Sequence, residues 1–132
     1  MDTPLKCLCI DDEPLALEVM RALIAGQPAL KLISTAANAL EAMEKIRQEK
    51  PDLIFCDINM PGINGLDFAR AISDQECAII FTTAHPEYAV EAFELEALDY
   101  LTKPVSPDRF AKSVQKAQEY FELYQSLLKK SV

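Results

Sequence analysis

Four separated stretches of the chain carry side chains able to hold a cation or an anion. Asp11 and Asp12 follow Leu8-Cys9-Ile10, and Asp57 follows Leu53-Ile54-Phe55-Cys56. Thr82 and Thr83 follow Ala78-Ile79-Ile80-Phe81, and Lys103-Pro104 follows shortly after Leu98-Asp99-Tyr100-Leu101. Three carboxylates meeting in a partly buried cleft repel one another unless a cation joins them. A hard divalent ion such as Mg²⁺ suits them, because it takes one or two carboxylates together with waters and phosphate oxygens. A hydroxyl and a lysine beside the cluster could stabilise charge on a group transferred to a carboxylate. Acid pairs at strand ends also serve as helix caps, so the combination carries the argument and Asp11-Asp12 alone does not.

These residues can meet only if the apolar runs before them are parallel strands of one sheet. Open α/β sheets place their ligand sites at that carboxyl edge. Strand and helix signals do alternate along the chain, as a parallel α/β fold requires. Residues 5–10 read as the first strand. Pro14 opens a helix whose face is Leu15, Ala16, Val19, Met20, Leu23 and Ile24, stopped by Gly26 and Pro28. A short second strand covers 31–35, and Asn38 caps a helix that buries Leu40, Met43 and Ile46 before Pro51. The third strand ends at Asp57, Gly62 and Gly65 bracket the next loop, and Leu66, Ala69 and Ile72 carry the third helix. A fourth helix runs from Pro86 to about Glu96, and the fifth strand covers 98–102. The last helix starts near Pro107 with the stripe Phe110, Val114, Ala117, Phe121, Tyr124 and Leu128.

The length of 132 residues suits one domain, 1–132, with a core over about 5–118 and the last helix extended to about 128. No apolar stretch approaches the ~20 residues needed to cross a bilayer, and Met1-Asp2-Thr3-Pro4-Leu5-Lys6 lacks the charged-then-apolar pattern of a signal peptide. A cytoplasmic location is expected. The net charge of −8 argues against nucleic-acid binding, which relies on clustered Lys and Arg. Cys7, Cys9, Cys56 and Cys77 lie in or beside apolar runs without C-x-x-C spacing, and read as small buried hydrophobes.

In chain order there is an acidic pair, then Asp57 with Met60-Pro61-Gly62 and Gly65, then Thr83-Ala84, then Lys103-Pro104. This order resembles the receiver domain of two-component response regulators over nearly the whole chain. The resemblance implies a flavodoxin-like doubly wound (βα)5 fold with a five-stranded parallel sheet in the order 2-1-3-4-5. It also implies that Asp57 accepts a phosphoryl group from a partner histidine kinase or phosphotransfer protein. By the same resemblance, Mg²⁺ is held by Asp12, Asp57 and the backbone carbonyl of Asn59, with Asp11 acting through a metal-bound water. Thr83 and Lys103 correspond to the residues that bond the phosphoryl group, and Ala84 leaves room for its entry. Tyr100 corresponds to the aromatic switch residue and His85 to a position that influences hydrolysis. The Lys103-Pro104 bond is expected to be cis.

The stretches Asp11-Asp12-Glu13-Pro14, Tyr88-Ala89-Val90-Glu91-Ala92-Phe93 and Leu98-Asp99-Tyr100-Leu101-Thr102-Lys103-Pro104 are similar to receivers joined to LytTR-type DNA-binding domains. An excised receiver is therefore favoured over a stand-alone one. The surface of the fourth helix, fifth strand and last helix is expected to form a homodimer. Haloacid-dehalogenase-like phosphatases carry an acid two residues after their nucleophile, where this chain has Asn59, so turnover of an external substrate is not expected. A flavin-binding module needs a phosphate-cradling loop after the first strand, where Asp11-Asp12-Glu13 would repel phosphate. The alternative is a stand-alone receiver acting as a protein-interaction adaptor.

Overall fold

The computed structural model describes residues 3–130, and of residue 130 the backbone alone. The outermost residues of the expected domain, 1–2 and 131–132, lie outside the described residues. Five strands, β1 (Leu5–Ile10), β2 (Leu30–Ala36), β3 (Leu53–Asp57), β4 (Ala78–Thr83) and β5 (Asp99–Thr102), alternate with five helices. The helices are α1 (Pro14–Ala25), α2 (Ala39–Glu49), α3 (Gly65–Ala71), α4 (Ala89–Glu94) and α5 (Pro107–Lys130). All four strand pairings are parallel, in the order β2-β1-β3-β4-β5. The expected fold and strand order are therefore observed.

The end of β1, β3 up to Cys56 and β4 up to Phe81 read as continuous apolar runs because both faces of the sheet are covered there. Successive side chains point to opposite faces. Cys7, Cys9, Leu53, Phe55, Ile80 and Leu101 pack with Met20 and Ile24 of α1 and Phe110, Val114 and Ala117 of α5. Leu8, Ile10, Ile54, Cys56, Phe81 and Tyr100 form the other layer with α2, α3 and α4. Every residue of β3 is buried, so the central strand delivers Asp57 from the middle of the molecule.

Local signals set the helix ends. Asn38 Oδ1 accepts the Glu41 amide at 2.9 Å and Glu41 reaches back to the Ala37 amide at 3.3 Å. Asn64 caps α3 in the same way through the Asp67 amide, at 2.9 Å. The fourth helix is shorter than expected: residues Pro86–Tyr88 form a 3₁₀ turn, and the α-helix begins at Ala89.

Helix rotation departs from the sequence expectation in two places. Leu15 and Val19 of α1 are exposed, while Met20 and Ile24 meet the sheet. On α2, Leu40 and Met43 are exposed, and Ala39, Ala42 and Ile46 are buried. Small alanines let the helix approach the sheet closely, and that packing outweighs burial of the larger side chains one position away. The stripe of α5 also divides. Phe110, Val114 and Ala117 are buried and Phe121 half-buried, whereas Tyr124 and Leu128 are exposed at 41% and 50%, beyond the part of the helix that covers the sheet.

Candidate functional site

The parallel sheet brings the sequence-derived residues to one edge. Asp11 directly follows β1, Asp57 ends β3, Thr83 ends β4, and Lys103 directly follows β5. One carboxylate oxygen from each of Asp11, Asp12 and Asp57 falls within 4.8 Å of the others. Asp11 and Asp57 are both only 2% exposed, while Asp12 opens to solvent. Lys103 Nζ donates to Asp11 Oδ2 at 2.8 Å and lies 3.5 Å from Asp57 Oδ1. The Lys103 amide also donates to the Thr83 carbonyl at 2.7 Å, which ties the end of β5 to the end of β4. The Lys103-Pro104 bond is cis.

The charge balance is unequal, with three acids facing one lysine. Burial, and then the neighbouring charge of Asp11, push the Asp57 carboxyl up to about 6, against the opposing pull of Lys103 and the Asn59 amide. Burial alone would lower Lys103, but its hydrogen bond to Asp11 and the charges of Asp57 and Asp11 raise it instead. An all-oxygen donor set with excess negative charge and one solvent-facing carboxylate fits a hard divalent cation such as Mg²⁺.

The loop after β3 is shaped by close backbone contact. The Gly65 amide donates to the Ile58 carbonyl at 2.7 Å, and a Cβ at Gly65 would lie 2.4 Å from the Asp57 carbonyl oxygen. Only glycine fits there without displacing the carboxylate-bearing residue. Asn59 then turns back over the site. Its amide donates to Asp57 Oδ1 at 3.3 Å, and its side-chain Oδ1 accepts the Thr83 hydroxyl at 2.9 Å. Thr83 thus meets the site loop through its hydroxyl, whereas the Thr82 carbonyl accepts the Ile58 amide at 3.0 Å.

Tyr100 is buried and its hydroxyl donates to the His85 carbonyl, so the ring already packs inward. The His85 amide donates to Thr83 Oγ1 at 3.1 Å. Its imidazole is exposed, 3.8 Å from Glu87 and edge-on to Tyr88. His85 therefore touches both Thr83 and Tyr100 through its backbone. Burial pushes the thiols of Cys7 and Cys9 up to about 12 and that of Cys77 to about 11.

Three features of this region escaped the sequence reading. The close approach at Gly65 depends on how the loop after β3 folds back on the Asp57 backbone, and the side-chain role of Asn59 on a contact between that loop and the end of β4. The third is an ion cluster on β5. Asp99, 1% exposed, accepts two hydrogen bonds from Arg109, at 2.8 and 2.7 Å, with Lys116 3.4 Å away. Burial would raise Asp99, but Arg109 and the Tyr100 amide outweigh it and hold the carboxyl at about 2. Arg109 also donates to the Tyr100 carbonyl at 3.2 Å, which fastens α5 to β5. A buried acid in a strand with basic residues on the next helix was the available signal.

Comparisons with known proteins agree with this geometry. Residues 7–115 match the response regulator receiver domain family. The transcriptional regulatory protein BtsR of Salmonella typhi is 40% identical over 116 residues, covering 87% of this chain and 48% of that protein. The positive alginate biosynthesis regulatory protein of Pseudomonas aeruginosa is 40% identical over 116 residues, covering 86% of this chain and 47% of its own length. The chain thus spans about half the length of these curated relatives. The response regulatory domain of protein mrkE from Klebsiella pneumoniae superimposes with a TM-score of 0.83 at 35% identity, covering 90% of this chain and 99% of that one. Taken with five parallel strands that gather three aspartates, a threonine and a lysine at one edge, the match over most of its length shows that this chain belongs to the receiver domain family of two-component response regulators.

Proposed function

We propose that Asp57 is the phosphoacceptor of a signalling switch, with Mg²⁺ held by Asp12, Asp57 and the Asn59 carbonyl and assisted by Asp11. The observation that carries this reading is the juxtaposition of three carboxylates within 4.8 Å with Lys103 3.5 Å from Asp57. When bound, the ion supplies positive charge to the transferring phosphoryl oxygens. An Asp57 carboxylate oxygen attacks phosphorus, a new P–O bond forms, and the bond to the donor imidazole nitrogen breaks. Lys103 and the Thr83 hydroxyl then bond the phosphoryl oxygens. Tyr100 relays the change along β5, and the loop at His85 modulates hydrolysis of the acyl phosphate. The unit needs no turnover of an external substrate.

The partner is a sensor histidine kinase or phosphotransfer protein in the cytoplasm. No helix among the described residues is long and apolar enough to cross a membrane. The output is a DNA-binding domain outside residues 1–132, which act as one receiver unit and, at a net charge of −8, do not bind nucleic acid themselves. A second copy pairs through α4, β5 and α5. Exposed Val90 and Phe93 on α4, and exposed Leu123, Tyr124 and Leu127 along the end of α5, support that surface.

Acetyl phosphate with Mg²⁺ should add one phosphoryl group to the wild type and none to Asp57→Asn by intact-mass measurement; equal labelling of both would overturn the assignment. Asp12→Ala should weaken Mg²⁺ binding at least tenfold in a calorimetric titration, and unchanged affinity would place the ion elsewhere. Sedimentation with and without beryllofluoride tests the dimer, and an unchanged mass distribution would remove it.

A further inference from the structure

We infer that the Asn59 side chain is a latch on the Thr83 hydroxyl, one that phosphorylation must break before the switch can close. The inference rests on the proposed role of Asp57 and concerns what that event has to undo. Thr83 Oγ1 lies 2.9 Å from Asn59 Oδ1 and accepts the His85 amide at 3.1 Å. A hydroxyl has a single hydrogen to donate. With its lone pair already facing the His85 N–H, that hydrogen goes to the carboxamide oxygen. A phosphoryl group presents acceptor oxygens, so Thr83 can bond it only by withdrawing the hydrogen from Asn59. The His85 contact uses a lone pair and can persist.

The other two switch groups are under no such constraint. Lys103 has three hydrogens to share between Asp11, at 2.8 Å, and Asp57, at 3.5 Å, and can meet a further oxygen without abandoning both. Tyr100 is already packed inward with its hydroxyl on the His85 carbonyl. Among these groups Thr83 alone must exchange its side-chain acceptor. Asn59 is well placed to couple that exchange to the acceptor carboxylate, because its own amide donates to Asp57 Oδ1 at 3.3 Å. One residue thus bridges the group to be modified and the hydroxyl that must respond. Asn59 is a positioning residue here: it raises the threshold for switching by preferring the unmodified arrangement.

The test is a double-mutant cycle read by beryllofluoride affinity at saturating Mg²⁺, using calorimetry on the wild type, Asn59→Ala, Thr83→Ala and the double variant. A neutral hydrogen bond contributes about a factor of five. Asn59→Ala should therefore bind the mimic about fivefold more tightly than the wild type, and should have no effect when Thr83 is already alanine. Without the mimic, the Thr83 methyl resonance of Asn59→Ala should move toward its beryllofluoride-bound position. Equal tightening in both backgrounds, weaker binding by Asn59→Ala, or an unmoved methyl resonance would overturn the latch. Failure of the wild type to bind the mimic would instead strike at the role of Asp57, so the two ideas fail separately.

Discussion

Two aspartates of this molecule are almost equally buried and behave in opposite ways. Asp57 is 2% exposed and Asp99 1%, yet the first is pushed up to about 6 and the second held at about 2. The difference lies in their neighbours. Asp57 shares its pocket with two further carboxylates and one lysine, whereas Asp99 has Arg109 in a two-bonded grip and Lys116 close by. Burial of an acid is therefore no mark of function by itself. An uncompensated cluster stores repulsion that a cation or a charge-neutralising partner can relieve, and a compensated one holds two elements together.

The largest test of this contrast replaces each acid with its amide. Asp99→Asn should destabilise the fold by about 3 kcal/mol, because at this 1%-exposed position an amide can accept only one of the two Arg109 hydrogen bonds and turns a donor toward the other. Asp57→Asn should stabilise the metal-free protein by about 2 kcal/mol, by removing a buried charge and then its repulsion from Asp11. Urea unfolding in a chelator at neutral pH measures both, and shifts of the same sign would break the comparison.

The dependence on pH sharpens it. At ~1.4 kcal/mol per pH unit, holding Asp57 ionised costs the folded state roughly 3 kcal/mol. Its folded value, about 6, lies above its ordinary value of 3.8. That penalty is present above pH 6 and relieved as the pH falls toward 4. For Asp99 the folded value, about 2, lies below 3.8, so it contributes about 2 kcal/mol above pH 4 that is lost as the pH falls toward 2. Metal-free stability should thus rise on acidification from neutrality and fall below pH 4. The rise should vanish in Asp57→Asn, and the fall should shrink in Asp99→Asn.

The smallest expected effect is at Lys116. Its side chain is 55% exposed and lies 3.4 Å from Asp99, while Arg109 makes the direct paired contacts. Lys116→Ala should change stability by under ~1 kcal/mol. A loss as large as that of Asp99→Asn would mean that the cluster works as an inseparable triad.

Much of the site was legible in the chain because it depends on local signals. Apolar runs ending in Asp11-Asp12, Asp57, Thr83 and Lys103 needed only parallel pairing to converge, and strand alternation with helices required that pairing. Helix rotation was less legible. The apolar residues of α1 and α2 are spread around the helix, so sequence spacing did not single out Met20 and Ile24, or Ala39 and Ala42, as the inward set.

The sequence by itself determined which side chains stand at the strand ends, because a strand's apolar run and its polar stop are properties of neighbouring residues. It also determined that the middle of the sheet is covered on both faces, through the unbroken apolar runs Leu8-Cys9-Ile10, Leu53-Ile54-Phe55-Cys56 and Ala78-Ile79-Ile80-Phe81. Tertiary structure alone decided the partners. Thr83 meets Asn59 across 24 residues and Lys103 meets Asp11 across 92, and Gly65 has no room for a Cβ because the Asp57 backbone passes beside it. Such choices turn on a few tenths of an ångström in how strands and loops pack, a distance that no periodicity in the chain encodes.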